Sequence, residues 1–233
     1  MLAWYQNSLM ALDLETTGLD PLDDRIVQVA ILEVAADGMI SADSWDGIVD
    51  PGVEIPTGAS DVHGISTEQA RAEGVQPAEA LRRIANLIDG AARVGTPLVI
   101  YNAPFDWPFV LAEAQRHDVM LLPEGIPVDI IDPLVLDKAM DRYRKGSRKL
   151  DFVAPLYGHE LDNAHDARAD ALAAVTVARA LGERYPDIGD ASLEALQGMQ
   201  EKWHAEASES LAAYLGKPID GGWPLPTTAG HLA

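Results

Sequence analysis

The residues from Leu9 to Gly18 read Leu-Met-Ala-Leu-Asp-Leu-Glu-Thr-Thr-Gly, an apolar run that ends in two acids and breaks at a glycine. On an extended strand side chains i and i+2 share a face, so Asp13 and Glu15 point together while Leu12 and Leu14 turn into a core. Two carboxylates side by side repel, and burying them unpaired costs several kcal/mol. A divalent cation is the natural compensation; the alternative is a solvated strand end with incidental acids. Two further stretches repeat the oddity. Asp106 follows the apolar run Val99-Ile100-Tyr101 by way of Asn102-Ala103-Pro104-Phe105, at a helix start. There the helix dipole also accounts for a lone acid, at about 0.3–1 kcal/mol. Asp170 lies in the Ala-rich stretch His165-Asp166-Ala167-Arg168-Ala169-Asp170-Ala171, on a face that otherwise reads as buried. On a continuous helix His165 would stand ~140° from Asp170. The two reach one site only if His165 lies in the loop leading in, with Asp166 as the cap.

Positioning these groups falls to a small set of elements. Residues 9–15 form a first strand and Arg25 to Val34 a second, its Ile26, Val27, Val29 and Ile31 suggesting burial on both faces. Asp37-Gly38 is a hairpin turn that returns a third strand over Met39 to Val49. Pro51 to Gly64 reads as loop, and Ser66 or Thr67 caps a short helix over Glu68 to Ala72. The spacing of Ala80, Leu81, Ile84, Leu87 and Ile88 predicts a helix over Pro77 to Gly90. A short buried strand follows at Pro97 to Tyr101, a helix at Phe105 to His117, a strand at Val128 to Ile131 and a helix from Asp132-Pro133 to Met140. Leu150 to Tyr157 reads as a short helix and Asp166 to Leu181 as a long one. A last helix runs from Ser192 to Leu215, before an extended tail rich in Gly, Pro and Thr. An antiparallel meander of three strands, then helices alternating with shorter strands, implies an α/β fold: a mixed sheet flanked by helices. The compact pattern closes at Tyr185-Pro186, giving one domain over residues 1–185 and a C-terminal extension over 186–233.

Composition narrows the classes. Cysteine is absent, so any metal must sit on oxygen or imidazole. No apolar run approaches the roughly 20 residues of a membrane span, and no basic-then-apolar leader opens the chain; the expectation is a soluble, cytoplasmic protein with no membrane partner. A formal charge of −20 opposes tight duplex binding, because phosphate recognition needs a basic surface. One stretch reverses the sign: Arg142, Arg144, Lys145, Arg148 and Lys149 form the single basic cluster, read either as a solvated loop or as a nucleic-acid contact.

In order and spacing, Asp13, Glu15, Asp106, His165 and Asp170 resemble the DEDDh exonucleases, the DnaQ-like 3′→5′ family that includes the proofreading subunit of bacterial replicative polymerases. The likeness rests on Asp-Leu-Glu-Thr-Thr-Gly at 13–18, Asn102 with Phe105-Asp106, His165-x-Ala167-x-x-Asp170 and the loop Val62-His63-Gly64-Ile65, and it spans residues 8–183. The resemblance implies a ribonuclease-H-like fold and hydrolysis at the 3′ end of single-stranded DNA with release of nucleoside 5′-monophosphates. It implies two divalent ions, Mg²⁺ or Mn²⁺, with Asp13 bridging both, Glu15 and Asp170 completing the shell of the first ion and Asp106 holding the second ion through water. His165, an imidazole that can titrate near neutrality, would be the general base. Thr16 would meet the terminal nucleotide through its backbone and the His63 loop would lie over it. Asn102 belongs to the second motif, and Phe105 packs either on a base or in the core. Tyr101 stands where the family often carries His, which implies an altered contact with the strand. The basic cluster would track the upstream backbone, with Tyr143 available to stack. An exoribonuclease of the same family and a non-catalytic polymerase accessory are the alternatives. The stripe Leu193, Leu196, Met199, Trp203, Ala207 and Leu211 packs on the domain, on a neighbouring chain, or on a polymerase or replication partner. The oligomeric state is not legible.

Overall fold

β1 (Leu9–Thr16) is the central strand of the sheet, and everything that matters at the site hangs on it. It pairs antiparallel with β2 (Ile26–Val34), Asp13 opposite Ala30 and Glu15 opposite Gln28, and β2 pairs antiparallel with β3 (Trp45–Ile48). On its other edge β1 runs parallel to β4 (Leu98–Val99), which runs parallel to β5 (Ile130–Ile131). The order is β3-β2-β1-β4-β5, a mixed five-stranded sheet among the described residues, which are 2–123, 127–160 and 165–227 of this computed structural model. The helices in chain order are α1 (Thr57–His63), α2 (Thr67–Glu73), α3 (Pro77–Val94), α4 (Ala103–Arg116), α5 (Pro133–Met140), α6 (Leu150–Val153), α7 (Ala167–Arg184), α8 (Pro186–Gly189) and α9 (Leu193–Leu215).

The two faces of β1 go to different cores. Met10, Leu12 and Leu14 join Val29 and Ile31 under α3 and α4, with Leu81, Ile84, Phe109 and Val110. Leu9 and Ala11 turn the other way, with Ala30 and Leu32, against Ala167, Ala171, Ala174 and Ala178 of α7. Strand alternation therefore puts Asp13 and Glu15 on the α7 face. The alanines of α7 are what let that helix lie close to the sheet.

Several expected elements are shorter or displaced. The returning strand over Met39 to Val49 reduces to Trp45–Ile48, because Ile40 makes one bridge to Val34 and the chain then turns. In that turn Ser44 Oγ accepts the Glu33 N–H at 2.9 Å, replacing a strand partner. The stretch from Pro51 to Gly64, expected as loop, holds α1. Pro56 precedes the first turn, where its missing N–H costs nothing, and Gly64 ends the helix in the left-handed region at φ 76°. The strands at Pro97 to Tyr101 and Val128 to Ile131 contract to two residues each, and Leu150 to Tyr157 divides into α6 and a 3₁₀ turn. Buried Glu113 gathers Arg116, Arg25 at 3.9 Å and His117 at 3.3 Å. Arg116 also donates to the carbonyls of Pro21 and Leu22, fastening the β1–β2 loop to α4.

Packing continues beyond Tyr185. Ile188 of α8 is fully buried and its carbonyl accepts from Trp4 Nε1 at 2.8 Å. α9 lies along β5, which is otherwise an open edge. Gln197 and Gln200 supply what a neighbouring strand would. Their Nε2 atoms donate to Ile130 O at 2.9 and 2.8 Å, while their Oε1 atoms accept from Ile130 N at 3.0 Å and Asp132 N at 2.7 Å. An edge strand covered in this way is closed to other chains. The buried face of α9 thus includes Leu196, Gln200 and Ser208, while Leu211 of the expected apolar stripe is 45% exposed.

Candidate active site

The acids meet where β4 stops. β4 pairs with β1 only as far as Val99 opposite Ala11, so the Leu14 N–H lies beyond the ladder and donates instead to Asp106 Oδ1 at 3.1 Å. Asp106 sits in the first turn of α4, and that turn is held from beneath. Fully buried Asp132 accepts from the Asn102 and Ala103 N–H groups at 2.9 Å, from Leu134 N at 3.0 Å and from Trp223 Nε1 at 3.2 Å. Asn102 itself turns the chain at φ 70°, a conformation asparagine tolerates better than most residues.

The end of β1 is shaped to turn sharply. Register shifts between Glu15 and Thr16, a bulge that ends regular pairing just past the second acid. Thr16 Oγ1 closes on the Gly18 carbonyl at 2.7 Å. A Cβ on Gly18 would come within 2.3 Å of Asp24 Oδ2, so this position of the motif accepts only glycine without displacing Asp24. Asp24 in turn accepts from Thr17 Oγ1 and from Asp20 N.

α7 supplies the rest. Asp166 is its N-cap, accepting from Ala169 N at 3.0 Å. Gln28, opposite Glu15 on β2, accepts the Ala167 N–H at 3.3 Å and donates to Asp166 Oδ2 at 3.5 Å, fastening the start of α7 to the sheet. Nothing in the spacing pointed to Gln28; a polar residue inside a buried strand run was the available signal. His165 precedes the cap, at φ 70°, outside the helix as convergence with Asp170 required, and its N–H donates to Asp170 Oδ2 at 3.1 Å. Ligand atoms of Glu15, His165 and Asp170 lie within 4.8 Å of one another.

Electrostatics describes a site short of cations. Burial, then Asp106, Asp170 and Glu15, raises the Asp13 carboxyl well above its ordinary range. Burial, then Asp170 and Asp166, raises Glu15 to about 8. Burial raises Asp170 to about 6, against the opposing effect of the His165 N–H and ring, and burial raises Asp106 despite the Leu14 N–H. Asp170 Oδ1 is buried with no hydrogen-bond partner among the described residues. No Lys or Arg among the described residues pairs with any of the four. Clustered carboxylates with an unsatisfied oxygen, beside an imidazole, form a donor set that fits hard divalent cations.

The surrounding expectations divide. His63 is brought to the site: its Nδ1 accepts from Ile65 N at 3.1 Å, its Nε2 is buried without a partner among the described residues, and burial together with nearby His165 lowers its pKa. Asn102 and Tyr101 line a cleft of about 460 Å³ that reaches His165 and Asp170. The Tyr101 hydroxyl is not free for a strand, because it donates to the Arg148 carbonyl at 2.6 Å. Phe105 rests on Phe109, ring centres 5.3 Å apart, and joins the core. The basic cluster divides. Arg144 and Arg148 both bind buried Asp137, which would otherwise be an isolated charge, so their guanidiniums tie the loop to α5. Arg142, Lys145 and Lys149 stay exposed.

Comparison with known proteins gives the family and the fold. The profile of the RNase_T family, described as exonuclease, matches residues 10–178. The chain belongs to the exonuclease family. The resemblance drawn from the three motifs thus holds at the level of family, and the mixed sheet with flanking helices is the expected fold. Within this family the chain is 33% identical over 130 residues to a DNA polymerase III subunit epsilon-like protein of Rhodobacter capsulatus, covering 55% of this chain and 17% of that protein. It is 30% identical over 202 residues to a PolC-type DNA polymerase III of Thermotoga petrophila, covering 84% and 14%. Among solved structures, E. coli exonuclease I in complex with a dT13 oligonucleotide superposes with a TM-score of 0.69 at 25% identity, over 79% of this chain and 43% of that one. The exonuclease chain therefore spans a minor part of each relative's length. No helix among its described residues is long and apolar enough to cross a membrane.

Proposed function

We propose that the chain is a metal-dependent 3′→5′ exonuclease that removes nucleoside 5′-monophosphates from single-stranded DNA. The observation that carries the reading is the meeting of Glu15, His165 and Asp170 within 4.8 Å, beside Asp13 and Asp106, with no Lys or Arg among the described residues paired to these acids. Asp13, Glu15, Asp106 and Asp170 would hold two divalent cations, Mg²⁺ or Mn²⁺. When bound, these supply charge stabilisation for the attacking and leaving oxygens of an in-line displacement. His165, exposed and anchored through its backbone N–H to Asp170, takes the proton from the attacking water at a ring nitrogen. Its left-handed backbone and the N–H bond to Asp170 hold the ring at the mouth of the cleft. The fixed turn at Thr16-Thr17-Gly18 offers backbone groups to the terminal nucleotide. Because His63 Nδ1 accepts the Ile65 N–H, the ring proton sits on Nε2, which is buried without a partner among the described residues and can donate a hydrogen bond to that nucleotide or a bound water.

The test is a gel of 3′- and 5′-labelled single- and double-stranded DNA and RNA of one sequence with Mg²⁺, Mn²⁺ or EDTA. Stepwise loss from the 3′ end of single-stranded DNA, abolished by EDTA, is the expected result; uncut DNA in both metals would sink the assignment. Preferred RNA cleavage would make the chain an exoribonuclease of the same family. His165→Ala is expected to slow the reaction at least about 10²-fold and to change its pH–rate profile. A wild-type rate and profile would remove His165 from the role. The Rhodobacter relative's name makes a polymerase a reasonable partner, and co-purification with a polymerase III subunit tests that.

A further inference from the structure

The cleft does not end at the acids. A second groove of about 600 Å³ lies between α5 with its following loop and the outer half of α9, and Lys138 and Arg148 line both spaces. Its walls differ in kind. Lys138 and Arg142 stand on one side, and Trp203, Leu211 and Tyr214 on the other, with Glu206 the acid among them. Arg144 and Arg148 are held by Asp137, but Lys138 and Arg142 make no ion pair among the described residues. Across the groove Tyr214 is 86% exposed and Leu211 45% exposed, although both belong to a helix whose other face packs on the domain. In a chain of formal charge −20, unpaired cations facing an exposed ring, Tyr214, beside half-buried Trp203 are out of character. Cations along one wall and rings along the other suit a single strand, whose phosphates and bases point to opposite sides.

We propose that this groove, entered past Lys138, carries the nucleotides upstream of the 3′ end as single-stranded DNA runs out of the active-site cleft. The assignment rests on the 3′-exonuclease reading and deepens it: α9 becomes part of the substrate site, and Lys138 joins the two spaces as a phosphate contact.

The experiment measures binding of 5′-fluorescein oligodeoxythymidines, from a trimer to a dodecamer, by anisotropy of the full chain with Ca²⁺ as the divalent ion. Degradation by the same wild-type preparation with Mg²⁺ is run beside it. Wild-type affinity is expected to rise from trimer to dodecamer. In a Lys138→Ala, Arg142→Ala double variant that rise is lost, and the slope of log K against log salt flattens by about 0.7 for each cation removed. Tyr214→Ala weakens dodecamer binding by about 5- to 150-fold, with the salt slope largely kept. A double variant that binds the dodecamer with wild-type affinity and slope overturns the groove. So does an equal loss on trimer and dodecamer, which would confine Lys138 to the cleft. If wild-type chain degrades no DNA with Mg²⁺ or Mn²⁺, the exonuclease reading itself has failed. If it degrades DNA but its affinity does not depend on length, only the groove has failed, and the ring-lined face is left to a protein partner. Thermal melts of each variant confirm that it folds.

Discussion

Asp13→Asn is expected to slow release of 3′ nucleotides at least about 10³-fold, while leaving the chain more heat-stable than wild type in EDTA at pH 8. The first effect follows from removing a ligand charge in a site where bound cations supply several kcal/mol of transition-state stabilisation. The second follows from the repulsion around Asp13, whose carboxyl is raised by burial, Asp106, Asp170 and Glu15. The pH dependence has a definite sign. Glu15 goes from 4.5 to about 8 and Asp170 from 3.8 to about 6, so the folded chain keeps protons that the unfolded chain releases. Their contribution to stability is complete below about pH 4 and is lost as pH rises through 6 and then 8. Without metal, the melting temperature should fall across that window, and Mn²⁺ should restore it most at the alkaline end, where ions replace protons. In Asp13→Asn the fall should be shallower. A wild-type melting temperature flat or rising from pH 5 to 8 in EDTA would show that the four acids do not share one site.

Asp132→Ala is the larger test of architecture. The carboxylate has no solvent exposure and accepts N–H groups from Asn102, Ala103 and Leu134 and the Trp223 indole. Its removal strands those donors, each at about 1–3 kcal/mol, for an expected total near 3–5 kcal/mol after relaxation. For a chain of this size that lowers the melting temperature by roughly 10 °C. The same change loosens the start of α4, so residual activity should drop even where the protein is folded, because Asp106 loses its fixed approach to Leu14. Wild-type stability by thermal melting would mean that another acceptor serves these groups.

The legible part of the site was its list of acids. Asp13 and Glu15 announced themselves because strand alternation is local: two residues apart means one face, whatever lies around them. His165 was legible only conditionally, since its angle on a helix ruled out convergence unless the helix began after it. The charge cluster at 142–149 shows the opposite case. Its composition suggested a cationic surface, yet Arg144 and Arg148 turn inward, because Asp137 is buried on α5 and a buried carboxylate draws the nearest guanidiniums. Pairing across separate segments cannot be read from either alone.

The C-terminal segment shows the same limit. Periodicity marked a helix over 192–215 and an apolar stripe along it, but gave no sign that Gln197 and Gln200 would close the edge of β5 or that Trp223 would return to Asp132. Local chemistry, then, determined which residues could bind cations and which stretches could be strand or helix, because backbone geometry and side-chain type act over a few residues. Tertiary structure alone decided which charges were left over for a ligand. That remainder exists only after every segment has taken the partners that folding puts within reach.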